Sequence, residues 1–267
     1  MTILVTGATA GVGRQVVSAL LDAGATDVRA MTNNPARAAL PAEIDVVEGF
    51  LGRPETLPAA FDGIEKMYLA PYPQTVDLAA ATARAAGVRH IVDLAGPPGS
   101  WWYSVQEAVE ASGVAWTHLQ PGEFMENATG WADQIRSTGV VRDGYPQSAN
   151  APIAVADVAA VAAAALLQDG HRGRVHELTG PQTLSRAEMV RLIGVALGRD
   201  IAYLELDHEQ TVDALTPTKG EYARWYVEGM ALLAEFPQPA TDTLALILGR
   251  QPMTFAEWAV ANADLFR

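Results

Sequence analysis

Cysteine is absent from the 267-residue chain, which removes disulfides, thiolate nucleophiles and cysteine-based metal sites together. Lysine occurs only at Lys66 and Lys219, and 18 basic residues stand against 31 acidic ones, a formal net charge of -13. No basic stripe exists to hold a phosphate backbone or an anionic membrane, so neither nucleic acid nor membrane is an expected partner. The start lacks a basic stretch followed by an apolar one, and the longest uncharged apolar run, Val158 to Leu167, is too short to span a bilayer. The expectation is a soluble cytoplasmic protein. The histidines, His90, His118, His171, His176 and His208, show no metal-ligand spacing, so no metal site is predicted, and His90 and His118 read as structural residues in or beside strands. No Gly-x-Ser-x-Gly elbow occurs, which argues against a serine hydrolase.

What is present is globular: 49% hydrophobic and 18% charged residues, with length enough for one large domain or a main domain with a smaller lobe. Residues 2 to 16, TILVTGATAGVGRQV, read as a buried strand (Thr2 to Val5), a glycine-rich turn (Thr6 to Gly13) and a helix (Val12 to Leu21). Phosphate binding suits this order, because a helix N-terminus offers unpaired N–H groups and glycine lets a pyrophosphate approach the backbone. A turn needing glycine for conformation alone is the competing reading.

Val28 to Met31 is a second strand, closed by Thr32, Asn33, Asn34 and Pro35. In a dinucleotide-binding sheet this strand end meets the adenosine ribose, where an acid favours NAD and a base NADP. Neither stands there. Asn33 can bond a hydroxyl or a phosphate, and Arg29 and Arg37 nearby tilt the choice toward NADP over NAD; a solvated turn with surface arginines fits the same residues.

Further strands are predicted at Ile44 to Val47, Ile64 to Ala70, Arg89 to Ala95 and Ala115 to Leu119, alternating with helices at Pro54 to Phe61, Gln74 to Ala86 and up to Ser112. The alternation specifies an α/β fold, a doubly wound parallel sheet of Rossmann type. Beyond Pro121 the pattern loosens: loop and helix to Thr138, two short strands around Gly144-Tyr145-Pro146, a buried helix from Asp157 (as its N-cap) to Leu167, and a strand at Val175 to Leu178 returning to the sheet. Ser185 with Glu188 caps a helix to Leu197, Ile201 to Leu206 is a strand, helices follow near Gln210 to Ala214 and Gly220 to Glu235, and Thr254 with Glu257 caps the last helix. The division read from this is a dinucleotide-binding domain at 1–180, with 123–150 contributing to a substrate lobe, and a smaller, mostly helical C-terminal lobe at 181–267, laid over the carboxyl edge of the sheet.

TGATAGVG near the start, VRAMTNNPARA, GVRHIVDLAG, SGVAWTHLQPGEFMENA and ADVAAVAAAALL followed by ELTGPQTLSRAE together resemble the NmrA-like branch of the atypical short-chain dehydrogenase/reductases, over about residues 1 to 200 in order. The resemblance implies NAD(P) binding, with the pyrophosphate on Gly7, Thr9, Ala10, Gly11, Val12 and Gly13, the adenosine end near Thr32 and Asn33, and the nicotinamide side against Ala70, Pro71, Ala95, Gly96 and the loop of Pro121, Gly122 and Phe124. Relatives of that branch carry glycine where Ala10 stands, arginine at Asn33, aspartate at Phe50 and arginine at Gln120. Asn33 removes a phosphate-binding charge; Phe50 removes an adenine hydrogen-bond acceptor and offers a stacking surface.

The Tyr-x-x-x-Lys pair of many short-chain dehydrogenases is missing: Tyr103 is followed at that spacing by Glu107, which opposes ionisation of the phenol. The remaining candidates are Tyr103 and Tyr72 as catalytic proton donors, with Trp101 and Trp102 as a wall for a flat substrate and Glu123 beside it. The aromatics equally suit packing against a lobe, and Glu123 equally suits a helix start. The expected function is an NAD(P)H-dependent reductase of a small, largely apolar carbonyl, quinone or enoyl compound. A non-catalytic NAD(P)-sensing regulator, or a non-redox cyclase, dehydratase or isomerase on the same fold, are the alternatives, and the oligomeric state is open.

Overall fold

The computed structural model describes every residue from Met1 to Arg267. In chain order its strands and helices are β1 (Ile3–Val5), α1 (Gly11–Asp22), β2 (Val28–Thr32), β3 (Asp45–Glu48), α2 (Leu57–Phe61), β4 (Lys66–Leu69), α3 (Val76–Ala85), β5 (His90–Leu94), α4 (Tyr103–Ala111), β6 (Ala115–Pro121), α5 (Ala132–Thr138), β7 (Val140–Gly144), β8 (Ala149–Asn150), α6 (Val155–Leu167), β9 (Arg174–Leu178), β10 (Leu184–Ser185), α7 (Arg186–Leu197), β11 (Ala202–Leu206), α8 (His208–Lys219), α9 (Ala223–Glu235), α10 (Thr243–Leu248) and α11 (Phe255–Ala261). The chain forms two compact units. One comprises Met1–Pro121, Val155–Leu178 and Thr243–Arg250, the other Gly122–Ala154, Thr179–Asp242 and Gln251–Arg267.

The first unit is the predicted doubly wound α/β fold. Its seven strands run β3-β2-β1-β4-β5-β6-β9, every neighbouring pair parallel. Strands β1, β4 and β5 are buried almost throughout because helices cover both faces: Leu4, Met67, Leu69 and Ile91 pack with residues of α2, α3 and α4, while α1 and α6 pack together. The strand order reverses between β1 and β4, the switch point where open α/β sheets bind ligands beyond the strand ends.

Asp157 corrects one expectation. It lies within the first turn of α6 rather than before it, is almost fully buried, and pairs with Arg250 at 2.7 Å. A carboxylate in a first helical turn is favoured by the helix dipole, and here it also meets a cation from the segment after α10. The sequence predicts no helix there; the six residues of α10, TLALIL, carry no charge, and the helix packs on α6.

The second unit holds a parallel β7–β11 ladder, an antiparallel β8–β10 pair and a core of Trp131, Ile135, Val141, Ile193, Phe255 and Trp258 among others. Both predicted capping boxes form, Ser185 with Glu188 and Thr254 with Glu257, and Asp207 with Gln210 adds a third that lengthens α8 well beyond the predicted segment. No helix of the chain is long and apolar enough to cross a membrane.

Candidate functional site

The glycine turn after β1 is built by backbone. Gly7 takes φ +60°, a left-handed conformation that suits glycine, and a Cβ there would lie 3.2 Å from the Cβ of Ala70. Gly13 is packed against the turn itself: its Cβ would fall 2.3 Å from the Gly7 carbonyl oxygen. Three bonds hold the turn in place. The Ala8 N–H donates to Met31 O at 3.1 Å, the Ala10 N–H to Gly7 O at 3.0 Å, and the buried Thr6 hydroxyl accepts from the Ala70 N–H at 2.8 Å. Thr6 thus ties the ends of β1 and β4 together, a role its neighbours in sequence do not announce.

Helix α1 then starts with nothing of its own to satisfy it. Ala10 at the N-cap offers no side-chain acceptor, and the first turn, Gly11, Val12 and Gly13, carries no acid. Its opening N–H groups and the positive end of its dipole are therefore free to meet an anion.

Beyond the turn lies a cleft of about 200 Å³ that brings together Gly7, Thr9 and Ala10 with residues from the ends of β2, β3 and β4. Thr9 and Thr32 share a hydroxyl–hydroxyl bond of 3.0 Å, and Asn33, Ala70, Pro71 and Tyr72 also line it. Asn33 and Arg37 are exposed on the loop after β2. Arg14, which the motif reading passed over, fixes that loop by donating to the carbonyls of Ala38 at 2.8 Å and Ala39 at 3.0 Å. Arg29 is otherwise employed: it bonds Asp45 at 2.7 Å and the carbonyls of Ala60 and Asp62, so it cannot supply the phosphate-binding charge the sequence suggested. Phe50 stands 36% exposed at the cleft, its ring edge-to-face with Tyr72 at 5.4 Å.

At the end of β5, Ala95 and Gly96 are buried, the Ala95 N–H donating to Leu119 O at 2.9 Å. A Cβ on Gly96 would fall 2.2 Å from Ser100 Oγ, and that hydroxyl is buried with no hydrogen-bond partner. Ser100, like Thr6 and Arg14, is a residue the sequence did not signal. Trp101 and Trp102 follow, 45% and 40% exposed, and Tyr103 opens α4. Gln120, at the position where the family resemblance implies arginine, bonds Gln106 at 3.0 Å.

The sheet interior carries two buried histidines. His118 Nδ1 bonds Asp93 at 2.8 Å, its Nε2 faces Glu110 at 3.4 Å, and Trp116 stacks on its ring; burial pushes the Asp93 carboxyl above its ordinary range. His90 Nε2 bonds the Thr117 hydroxyl at 2.9 Å, and burial, helped by Arg172, lowers its pKa to about 4.

Pro121 closes β6, and Gly122, Glu123 and Phe124 belong to the second unit. There Phe124 bridges to Ile153, and Glu123 accepts from Asn127 Nδ2 at 2.7 Å and from the Tyr226 hydroxyl at 2.8 Å. Burial, reinforced by Glu123, raises the Tyr226 pKa and keeps the phenol protonated. Beside them Arg186 pairs with Asp143 in the interior, and Trp131 Nε1 donates to the same carboxylate at 2.7 Å. Burial works against the Arg186 charge, but Asp143 more than offsets it, and the guanidinium is held above its ordinary pKa.

The residues of the first unit fit a dinucleotide. A close-packed glycine turn, an uncapped helix start without acids and a cleft at the switch point are what a pyrophosphate and its adenosine need, and the unpartnered Ser100 hydroxyl adds a polar group beyond β5. Comparison with known proteins agrees. A family described as NAD(P)H-binding matches residues 7–97. The (4-alkanoyl-5-oxo-2,5-dihydrofuran-3-yl)methyl phosphate reductase of Streptomyces griseus subsp. griseus is 34% identical over 99% of both chains. The NAD(P)H azoreductase of Xenophilus azovorans is 34% identical over the same share of each. Among solved structures, the NADPH-dependent quinone oxidoreductase of Escherichia coli in complex with NADPH superposes with a TM-score of 0.86 at 25% identity, covering 97% of this chain and 99% of that one.

Proposed function

The chain belongs to the NmrA-like family of atypical short-chain dehydrogenase/reductases, and from that premise we propose that it is an NAD(P)H-dependent reductase of a small, largely apolar carbonyl, quinone or enoyl compound. The observation that carries the proposal is 34% identity along nearly the whole chain with two relatives that are both named reductases, joined to the close-packed glycine turn after β1. The substrates in the relatives' names are an azo compound and an unsaturated furanone phosphate. Each holds a reducible π bond, and that shared feature supports reduction of an unsaturated small molecule.

The division of labour follows. When bound, the reduced nicotinamide supplies the hydride. The α1 N-terminus holds the pyrophosphate, Thr32 and Asn33 meet the adenosine ribose, and Ala70, Pro71, Ala95 and Gly96 leave the nicotinamide side free of bulky side chains. Trp101 and Trp102 present the apolar surface for a flat substrate, and Tyr103 donates the proton that balances the hydride. The setting is cytoplasmic, and the second unit serves as the substrate-selecting lobe.

Oxidation of NADPH and NADH, followed by nicotinamide absorbance with a quinone, an azo dye and an unsaturated lactone in turn, tests the proposal. At least one compound will accelerate oxidation, and Tyr103→Phe will cut kcat by roughly 100-fold or more if the phenol is the acid. Cofactor binding without turnover on any of the three classes would remove the reductase reading.

A further inference from the structure

With the pyrophosphate at α1 and the ribose at the end of β2, the cleft continues to the next strand end outward, that of β3, and leaves room there for the base of a dinucleotide. There the chain runs Gly49, Phe50, Leu51, and the cleft wall is aromatic: Phe50, partly exposed, lies edge-to-face with Tyr72 at 5.4 Å. No carboxylate lines the cleft. The hydrogen-bonding side chains that do line it are Thr9 and Thr32, whose hydroxyls bond each other, Asn33 at the ribose end and Tyr72. Much of the β3 loop backbone already makes one hydrogen bond. The Gly49 N–H donates to Thr32 O at 2.9 Å, the Phe50 N–H to Thr56 Oγ1 at 3.1 Å, Phe50 O accepts from the Arg53 N–H at 2.8 Å, and Leu51 O accepts from Thr75 Oγ1 at 2.6 Å.

A stacked aromatic face grips any purine and does not itself read its edge, since every base has a π-face. We propose that Phe50 holds the purine of the cofactor by stacking, with no contact that reads its 6-amino group, so that the protein takes a nucleotide carrying hypoxanthine as well as one carrying adenine. The inference rests on the NAD(P)H reading above and specifies what the adenosine end of that site selects.

The test is equilibrium binding to the full chain, by calorimetry and nicotinamide fluorescence, of NADPH and of its deaminated analogue with hypoxanthine in place of adenine. The two dissociation constants should agree within about threefold. Phe50→Ala should weaken both nucleotides alike, by roughly 5- to 100-fold, the loss of one base–aromatic stack. Phe50→Asp supplies an acceptor for the 6-amino group and should open a preference for NADPH of about 10-fold or more over the analogue. Phe50 is partly exposed, so the thermal midpoint of each variant serves as the control for folding. A 10-fold preference for adenine in the unaltered protein, or a Phe50→Asp variant with an unchanged ratio, overturns the inference and leaves the reductase reading standing. Failure of both nucleotides to bind overturns that reading and the inference with it.

Discussion

Replacing Gly13 by alanine places a methyl group where the structure has none to give. The new Cβ would lie 2.3 Å from the Gly7 carbonyl oxygen, 2.8 Å from its carbon and 3.1 Å from the Thr6 oxygen. All three are backbone atoms, so no side-chain rotation relieves the contact. The Gly7 oxygen must retreat by about 0.7 Å even to reach 3.0 Å, and it is itself held at φ +60° while accepting the Ala10 N–H. The strain is shared between the turn and the start of α1, which moves the N–H groups proposed to meet the pyrophosphate. Overpacking of this kind costs about 1–3 kcal/mol of stability. Hydrogen bonds to a charged group are worth about 1.5–3 kcal/mol, so loss of one weakens NADPH binding by roughly 10- to 100-fold. Gly11→Ala is the companion, because a Cβ there meets nothing within 4 Å and the residue is helical. It should leave the thermal midpoint unchanged or raise it slightly. Thermal unfolding with nicotinamide fluorescence titration measures both effects. Gly13→Ala with unaltered stability and unaltered NADPH affinity would refute the backbone cradle.

Acid should destabilise the first unit through His90. Its folded pKa is about 4, against about 6.5 in an unfolded chain, so the unfolded state binds a proton over that interval and the folded state does not. The contribution is fully present above about pH 6.5 and is lost as the pH falls toward 4, a change of about 3 kcal/mol. Urea midpoints near pH 7 and near pH 4.5 should therefore differ less in His90→Leu, where Thr117 keeps its bond to His171 O; an equal pH dependence in variant and parent counts against the assignment. In the second unit, Asp143→Asn retains an acceptor for Trp131 but leaves the Arg186 charge buried without a counterion. The loss should reach about 3–5 kcal/mol by denaturant unfolding, and Asp143→Asn combined with Arg186→Met should lose less than Asp143→Asn alone.

The parallel sheet was legible because its signals are local and redundant. Apolar runs of strand length, short loops and a glycine turn recur along the chain, and each strand alone would have been ambiguous. The capping boxes at Ser185 and Thr254 were legible for the same reason, since cap and acid sit three residues apart. Asp157 was misread by position: a carboxylate at a helix start looks alike as cap or first-turn residue until its partner is known, and Arg250 lies far along the sequence. The helix of Thr243–Leu248 has no local signature. At the site, Gly7 and Gly13 announced themselves, but Thr6, Arg14 and Ser100 did not, because what distinguishes them is contact across the fold: Thr6 with Ala70, Arg14 with Ala38 and Ala39, Ser100 with Gly96. Arg29 erred in the opposite direction. It is near the ribose end in sequence, yet its side chain is spent on Asp45 and the end of α2.

The two halves of the cleft are constrained by different physics, and this explains why one of them tolerates the departures at Asn33 and Phe50. The pyrophosphate half is made of backbone: a left-handed glycine, a glycine with no room for a methyl, and a buried hydroxyl joining β1 to β4. A change there disturbs folding and binding together. The adenosine half is made of side chains at loop ends, where Asn33 and Phe50 can stand in place of a charge or an acceptor without touching the sheet. Each such change costs only the contact it replaces, so specificity for the base can be given up while grip on the phosphates is kept. With Arg29 committed elsewhere, the cations nearest the loop after β2 are Arg14, anchored to its carbonyls, and exposed Arg37. A preference for a 2′-phosphate expressed through those two ties cofactor choice to the order of that loop rather than to the strand end where the common acidic or basic residue would decide it.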